Sequence, residues 1–258
     1  MIKACFFDVD GTLVSHTQGA VPQKTKKSLE QLRKKGIKIF LSTGRHLEEL
    51  DRLPVKGMVF DGYVTLNGQL CANEKKEILH RAPLPEEDTR ALIEIFQKKE
   101  EPLMLIEENR LYVNFINDAV CQAQNEVSTP LPPVSVYTGA PVYMAIAFIR
   151  KEEEERFMPL ISSGCKMTRW ASGGVDIISR NGGKVAGIQK VLEHYGIRRE
   201  EIIAFGDGEN DMDMLQFAGI GVAMGNAGPE VKEAADYVTE HIDEDGLEKA
   251  LRHYGLLE

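Results

Sequence analysis

Five short runs of apolar residues restrict the folds open to this chain more than any other feature of its sequence. Their residues are almost all apolar, without the alternation of a strand that has one solvated face, and they lie at positions 2–7, 37–41, 58–60, 202–205 and 220–223. Strands of this kind are buried on both faces, which is typical of a parallel sheet covered by helices. Amphipathic helices are predicted next to them at 22–35 and 184–195. We therefore predict an α/β fold, with a parallel sheet and helices on both faces.

The middle of the chain departs from this alternation of strands and helices. Strand candidates follow one another there with few predicted helices between them, at 103–106, 111–116, 142–149 and 175–179. We predict an inserted α+β domain at 83–180, between two parts of the α/β domain at 1–82 and 181–258. Prolines at the first boundary and glycines at the second are typical of linkers. A proline-rich segment at 128–133 is predicted to be a loop within the insert.

Two acidic residues, Asp8 and Asp10, come directly after the first apolar run. Open α/β sheets bind their ligands at the carboxyl ends of the strands, which is where this pair is predicted to lie. Aspartates two positions apart point the same way on an extended chain, so they can share one cation. The alternative is a simple turn, because Asp and Gly favour turns.

A second acidic cluster repeats this layout near the end of the chain. Asp207 follows the apolar run at 202–205, and Asn210 and Asp211 come within one turn of it. Two acidic strand ends repel each other at close range unless a divalent cation lies between them, and oxygen ligands favour Mg²⁺. Alternatively, these acids cap the N-terminus of the helix that follows.

Two further segments offer groups that bind phosphate. Ser42, Thr43, Gly44 and Arg45 end the second apolar run with hydroxyl, amide and guanidinium donors. Lys184 begins a predicted helix, where a positive charge is unfavourable unless an anion is near. The alternatives are a strand-to-helix turn capped by Ser or Thr, and an ordinary solvated lysine.

Taken together, these segments resemble the haloacid dehalogenase (HAD) superfamily, and more narrowly its Cof-type branch (subfamily IIB). The four motifs of that superfamily occur here in order, and shorter matches such as Met224-Gly225-Asn226-Ala227 support the branch. The resemblance spans nearly the whole chain. It implies a Rossmann-like HAD core for the α/β part and an α+β cap for the insert. The four motifs are Asp8-Val9-Asp10-Gly11-Thr12, Ser42-Thr43-Gly44-Arg45, Lys184 and Gly206-Asp207-Gly208-Glu209-Asn210-Asp211.

The resemblance also implies a mechanism of phosphoryl transfer. Asp8 would be the nucleophile that forms an aspartyl-phosphate, and Asp10 would act first as the acid and then as the base. The metal would be Mg²⁺, held by the Asp8 carboxylate, the Asp10 backbone carbonyl and Asp207, with Asp211 orienting these ligands.

The phosphoryl group itself would be held by a second set of residues. Thr43 and Lys184 would hold the transferring group, and the same pair, with Gly44, Arg45 and Asn210, would bind the phosphate. Mg²⁺ and Lys184 would remove the repulsion between the attacking carboxylate and the phosphate, which is about 4 kcal/mol for unit charges at 4 Å in a dielectric near 20.

We therefore expect a Mg²⁺-dependent phosphatase that hydrolyses a small phosphorylated metabolite, with a sugar phosphate as the first candidate class. The alternative of a different reaction class is a phosphotransferase of the phosphomannomutase type, which uses the same nucleophile. A non-catalytic module that binds Mg²⁺ or another ligand is the third alternative. Asp10 favours the phosphatase, because relatives that retain the phosphate or pump ions lack an acid at that position.

Charge and cysteine usage limit the partners and the compartment. Lys and Arg number 31 against 40 Asp and Glu, so the formal net charge is 31 − 40 = −9 and the average surface repels nucleic acid and anionic membranes. The four cysteines form no CxxC pair and are expected to be reduced thiols, and the first apolar run is too short for a membrane span. We expect a cytoplasmic protein whose partner is a small molecule, and the sequence leaves its oligomeric state open.

Overall fold

The chain folds as two units, which we describe from a computed structural model covering residues 1–127 and 129–258. Met1–Arg81 and Lys184–Glu258 form the first unit, and Ala82–Gly183 forms the second. The insert predicted from the sequence runs from 83 to 180. Ser128, the first residue of the predicted proline-rich loop, lies outside the described residues.

The elements alternate in the outer parts of the chain and cluster in its middle. In chain order the strands are β1 (Ala4–Phe7), β2 (Lys38–Ser42), β3 (Gly62–Thr65), β4 (Leu70–Asn73), β5 (Ile78–Arg81), β6 (Leu103–Glu107), β7 (Arg110–Val113), β8 (Met144–Ala147), β9 (Cys165–Ala171), β10 (Gly174–Ser179), β11 (Ile202–Gly206), β12 (Ile220–Ala223) and β13 (Tyr237–Val238). The α-helices are α1 (Gln23–Lys34), α2 (Glu86–Lys98), α3 (Asp118–Glu126), α4 (Glu154–Phe157), α5 (Lys184–Tyr195), α6 (Met212–Phe217), α7 (Pro229–Glu233) and α8 (Gly246–His253).

The first unit is built on a sheet of eight strands in the order β13-β12-β11-β1-β2-β3-β4-β5. The strands from β13 to β3 are parallel, and β4 and β5 add an antiparallel edge. Helices α1 and α8 cover one face, while α5 and α6 cover the other. The predicted α/β fold with helices on both faces is therefore confirmed.

Strand β1 is buried on both faces because its neighbouring side chains enter two separate apolar cores. Phe7 stacks on Phe205 at 4.9 Å between ring centroids, on the face of α1 and α8. Phe6 stacks on Phe40 at 4.8 Å on the other face. Such aromatic pairs contribute about 0.5–1.5 kcal/mol beyond the apolar area that they bury. The continuous apolar run at 2–7 thus corresponds to a central strand.

The predicted strand at 58–60 is wrong. Val59 is 55% exposed, so this run is not buried on both faces. The next parallel strand, β3, begins at Gly62, which pairs with Phe40. Asp61 ends the connection by accepting a hydrogen bond from the backbone N–H of Ile39 at 2.9 Å, which turns the chain into the sheet.

The second unit has an antiparallel sheet of five strands, in the order β7-β6-β8-β10-β9. Its core packs apolar residues of the sheet against α2 and α4, with Leu92, Phe96 and Phe157 among them. The strands predicted at 111–116 and 142–149 are shorter in the structure than in the sequence pattern. Helices α2 and α3 and strand β9 were not predicted, and they complete this α+β unit.

Helix α5 approaches the sheet closely because one of its residues is a glycine. A Cβ atom at Gly187 would lie 2.6 Å from the Cα of Gly68 and 2.7 Å from Cγ1 of Val64. The helix can therefore pack directly on the turn that follows β3. Its first residue, Lys184, lies one turn before this contact.

We expect the substitution Gly187→Ala to destabilise the protein by about 1–3 kcal/mol, because an added methyl group has no space in this packed contact. In an ordinary helix the same change would stabilise by about 1 kcal/mol. Urea unfolding measures the effect as a lower midpoint with an unchanged m-value. The control is Gln189→Ala on the exposed side of α5, which should change stability by no more than about 0.5 kcal/mol. Equal or greater stability of Gly187→Ala would contradict the close packing.

Candidate functional site

The predicted site residues of the first unit lie at one edge of its sheet. Asp8 follows β1, Thr43 follows β2, and Asp207 follows β11. These strands are parallel neighbours, so their carboxyl ends point to the same edge. Lys184, at the start of α5, extends its side chain to the same place. Residues that are far apart in the sequence thus meet because of the strand order.

Lys184 is the central group of the site. Its ammonium nitrogen, Nζ, donates hydrogen bonds to Oδ1 of Asp8 at 2.6 Å, Oδ1 of Asp211 at 2.6 Å and the carbonyl of Ser42 at 2.8 Å. The side chain is fully buried. Burial lowers its pKa, but the Asp211 and Asp8 carboxylates outweigh that effect and hold the pKa above the ordinary range of lysine. Lys184 is therefore a charged donor, and the solvated-lysine alternative does not hold.

Asp8 is a buried carboxylate with one oxygen committed to Lys184. Burial raises its pKa well above the ordinary value; Lys184 offsets part of this effect, and Asp211, Asp207 and Asp10 add to it. Its second oxygen, Oδ2, accepts no side-chain hydrogen bond from residues 1–127 or 129–258. The arrangement keeps one oxygen fixed and leaves the other available for a ligand.

Asp207 is held next to Asp8 by contacts on both of its oxygens. The Thr12 hydroxyl donates to Oδ1 at 2.7 Å, and the Asn226 side-chain amide donates to Oδ2 at 3.2 Å. Gly11 has a φ of +85°, and a Cβ atom there would lie 2.1 Å from Oδ2 of Asp207. Only glycine allows this approach between the two loops. Burial and the Asp211 carboxylate raise the pKa of Asp207 to about 7, against the lowering effect of the Thr12 bond.

Asp211 connects Lys184 to the loop after β11. Its Oδ1 accepts from Lys184, and its Oδ2 accepts from the backbone N–H groups of Asp207 at 3.0 Å and Gly208 at 2.9 Å. These two N–H groups precede α6, and the Asp211 side chain makes no capping hydrogen bond to that helix, so the structure does not support the capping alternative. Asp211 accepts three hydrogen bonds, one of them from a buried ammonium group, whereas Asp207 accepts two from neutral side chains, so we predict an orienting role for Asp211.

Asp10 and Arg45 form a bidentate ion pair at the same edge. Arg45 donates from Nε to Oδ2 at 2.9 Å and from Nη2 to Oδ1 at 3.0 Å. The sequence predicts Arg45 as a phosphate-binding residue, and the structure places its guanidinium against a carboxylate. This pairing spans 35 positions and has no local signature in the sequence. It holds the plane of the Asp10 carboxyl group in one orientation.

Thr43, Gly44 and Asn210 lie in the turns that border the site. The hydroxyl of Thr43 accepts a hydrogen bond from the backbone N–H of Arg45 at 3.1 Å. Asn210 donates to Oδ1 of Asn67 at 3.0 Å. Gly44 lies between Thr43 and Arg45 in this turn. The roles of these three residues in binding phosphate stay predictions.

Two side chains of the site carried no assigned role in the sequence analysis. Asn67 has a φ of +50° in the turn after β3, and it receives the Asn210 bond. Asn226 lies after β12 and bonds Asp207. The dipeptide Asn67-Gly68 and the sequence Met224-Gly225-Asn226-Ala227 predict turns, but a turn signal does not reveal which side chain reaches across to another strand.

The acidic cluster fits a divalent cation. One carboxylate oxygen from each of Asp8, Asp207 and Asp211 lies within 4.8 Å of the other two. Together with Asp10 these are four acidic groups facing two cations, Lys184 and Arg45. Burial first, and then the neighbouring carboxylates, raise the pKa values of Asp8 and Asp207, so a cation bound here would favour their ionised forms. Oxygen-only ligands are those that Mg²⁺ and Ca²⁺ prefer.

Comparison with known proteins agrees with the geometry of the site. The family model of haloacid dehalogenase-like hydrolases matches residues 5–251. A putative phosphatase of Bacillus subtilis, YkrA, is 31% identical and covers 99% of this chain and 98% of its own length. The phosphatase YitU of the same organism, named for 5-amino-6-(5-phospho-D-ribitylamino)uracil, is 28% identical over 96% of this chain and 95% of its own length.

Solved structures show the same similarity across both units. The HAD subclass IIB sugar phosphatase BT4131 has a TM-score of 0.89 and 37% identity, covering 99% of this chain and 100% of its own. A phosphatase of Bacteroides thetaiotaomicron, BT1666, has a TM-score of 0.87 and 34% identity, covering 100% and 96%. Separately, none of the helices in residues 1–127 and 129–258 is long and apolar enough to cross a membrane.

We expect Mg²⁺ to stabilise the protein against thermal unfolding, by about 2.7 kcal/mol when its concentration is a hundred times the dissociation constant. In the metal-free protein the raised pKa of Asp207, about 7, means that the folded state binds more protons than the unfolded state. Its stability therefore falls as pH rises from the ordinary range of Asp towards about 7. Protons compete with the cation in that window, so the stabilisation by Mg²⁺ should grow with pH.

The variant Asp207→Asn should lose this stabilisation by Mg²⁺. Glu209→Gln is the matched control, because it removes a negative charge from the same loop at an exposed position. Calorimetry of both variants with and without Mg²⁺ measures the difference. An equal loss in Glu209→Gln would show that overall charge, and not the cluster, binds the ion.

Proposed function

The chain belongs to the haloacid dehalogenase-like hydrolases and is a phosphatase, and we propose that it hydrolyses a small phosphorylated metabolite with Mg²⁺ bound, through an aspartyl-phosphate on Asp8. The observation that carries this proposal is the placement of Asp8. Its carboxylate lies at the carboxyl end of a central strand, bonded to Lys184 on one oxygen and open on the other.

Asp8 is suited to attack phosphorus because Lys184 orients its carboxylate through one oxygen and leaves the other open. Its Oδ2 would form the new bond to phosphorus, while the bond from phosphorus to the leaving oxygen breaks. Lys184 stays bonded to Oδ1 and fixes the direction of attack. Its positive charge also stabilises the charge that spreads over the phosphoryl oxygens in the transition state.

Asp10 is suited to proton transfer at the leaving oxygen. In the first step its carboxylic acid would give a proton to the departing alkoxide, so that an alcohol is released. In the second step its carboxylate would take a proton from water, whose oxygen attacks the phosphorus of the aspartyl-phosphate. This releases inorganic phosphate and restores the Asp8 carboxylate. The bidentate contact with Arg45 orients the carboxylate form of Asp10, which is the form that acts in the second step.

The cation would be held by the carboxylates of Asp8 and Asp207 and the backbone carbonyl of Asp10, with Asp211 orienting the loop that carries Asp207. When bound, Mg²⁺ supplies the positive charge that allows a carboxylate and a phosphate to approach each other. The raised pKa values of Asp8 and Asp207 and the closeness of the three carboxylates support this assignment.

The substrate class that we propose is a phosphorylated sugar or sugar alcohol. Two observations support it: one similar structure is described as a sugar phosphatase, and one relative is named for a substrate with a phosphoribityl group. A screen of phosphorylated metabolites, ranked by kcat/KM, identifies the class. Isomerisation of a hexose phosphate without release of phosphate would instead show a phosphomutase.

We expect Asp8→Asn to lower the hydrolysis of p-nitrophenyl phosphate by more than about 1000-fold, because the amide is a poor nucleophile. The wild-type rate should be lost in EDTA and recovered with Mg²⁺. Glu209→Gln is the control and should retain the wild-type rate. If Asp8→Asn retained full activity, another group would be the nucleophile.

We expect Asp10→Asn to separate the two chemical steps. The p-nitrophenolate ion leaves without help, so phosphorylation of Asp8 should continue while its hydrolysis slows by about 100- to 10,000-fold. Rapid-mixing experiments should then show a burst of p-nitrophenolate equal to the enzyme concentration, followed by slow turnover. Absence of a burst, with both phases equally slow, would contradict the role of Asp10 as the base.

A further inference from the structure

Asn226 reaches the acidic cluster from a third strand end. It lies in the turn after β12, the strand that pairs with β11 on the side away from β1. The carbonyl of Gly206 accepts from the backbone N–H of Met224 at 3.0 Å, so this turn is attached to the end of β11. Asn226 takes no part in the phosphoryl transfer proposed for Asp8 and Asp10.

The side-chain amide of Asn226 has one orientation, because all of its contacts require it. Its Nδ2 donates to the carbonyl of Gly11 at 2.9 Å and to Oδ2 of Asp207 at 3.2 Å. Its Oδ1 accepts from the backbone N–H of Ile242 at 3.2 Å. A flipped amide would turn an oxygen towards two other oxygens and a donor towards a donor.

The neighbouring glycine makes this position possible. A Cβ atom at Gly225 would lie 2.4 Å from the backbone nitrogen of His241. The backbone N–H of Gly225 also donates to the carbonyl of Glu240 at 3.0 Å. The turn is therefore fixed against the segment 240–242, and Asn226 extends from a rigid base.

We propose that Asn226 is a positioning residue that holds Asp207 in the orientation needed to bind Mg²⁺. Thr12 holds one oxygen of Asp207 and Asn226 holds the other, so the carboxylate cannot rotate. By also holding the Gly11 carbonyl, Asn226 joins the loop after β1 to the loop after β11. This inference rests on the metal site of the proposed function.

The test is the binding of Mg²⁺ by the variants Asn226→Ala and Asn226→Ser, measured by titration calorimetry without substrate. Loss of a residue that orients a metal ligand typically weakens binding about 10- to 100-fold, and we expect a loss in that range. At saturating Mg²⁺, kcat should fall by less than about 10-fold, because the reacting groups are unchanged. An effect on kcat alone, with Mg²⁺ affinity within about twofold of wild type, would overturn the inference.

The matched control is Thr239→Val. The Thr239 hydroxyl donates to the carbonyl of Gly246 at 2.6 Å, so the variant disturbs the same C-terminal region without contacting Asp207. We expect it to retain wild-type affinity for Mg²⁺. An equal loss of affinity in Thr239→Val would overturn the inference, because it would show a general loosening of that region.

A measurement on the wild-type protein covers the case in which the variants fail to fold. The side-chain amide resonances of Asn226 should shift on titration with Mg²⁺ in a ¹⁵N NMR spectrum, while those of Asn73, which bonds Glu77, should not. Unchanged Asn226 resonances in protein that binds Mg²⁺ would overturn the inference. If the wild type binds no Mg²⁺ at all, the proposed function fails, and the two failures are thereby distinguished.

Discussion

The buried ion pairs of Lys184 are the interaction on which the site depends. A fully buried ammonium group is costly to desolvate, and here it is compensated by two carboxylates at 2.6 Å and one carbonyl at 2.8 Å. This compensation requires residues that are far apart in the sequence. Asp8 follows the first strand, Asp211 lies in the last third of the chain, and α5 packs closely enough on the sheet for Lys184 to reach both. Removing any one partner would leave the buried ammonium group less compensated. The same contacts that offset the desolvation of the Lys184 ammonium group also orient Asp8, the proposed nucleophile.

The acidic groups are arranged so that each has one main task. Lys184 and backbone amides occupy the oxygens of Asp211, Arg45 occupies those of Asp10, and Thr12 and Asn226 hold Asp207. Asp8 alone among these four keeps an oxygen that accepts no hydrogen bond, from side chain or backbone, within residues 1–127 and 129–258. An active site works best when its groups are held by contacts that do not move during the reaction. Burial, and to a smaller extent the neighbouring carboxylates, raise the pKa values of Asp8 and Asp207.

Burial patterns and strand ends predicted much of this arrangement. The unbroken apolar run at 2–7 corresponds to β1, and helix α5 covers the residues that periodicity indicates. The meeting of Asp8 with Asp207 followed from the rule that parallel strands share a carboxyl edge. Two contacts could not be predicted from local sequence patterns: the ion pair of Arg45 with Asp10 and the hydrogen bond of Asn226 to Asp207. Each joins two loops that are brought together only by the order of the strands. The run at 58–60 failed as a strand because its apolar residues do not all face a core, and composition alone does not show exposure.

The strand order also sets a condition on how the protein is made. Strand β1 pairs with β2 on one side and with β11 on the other, and β11 begins at Ile202. As the chain leaves the ribosome, the whole second unit emerges before the second neighbour of β1 exists. One edge of the apolar strand β1 therefore stays unpaired while the insert is synthesised. Exposed edges of this kind invite association with other chains, so aggregation is most favoured during this interval of synthesis.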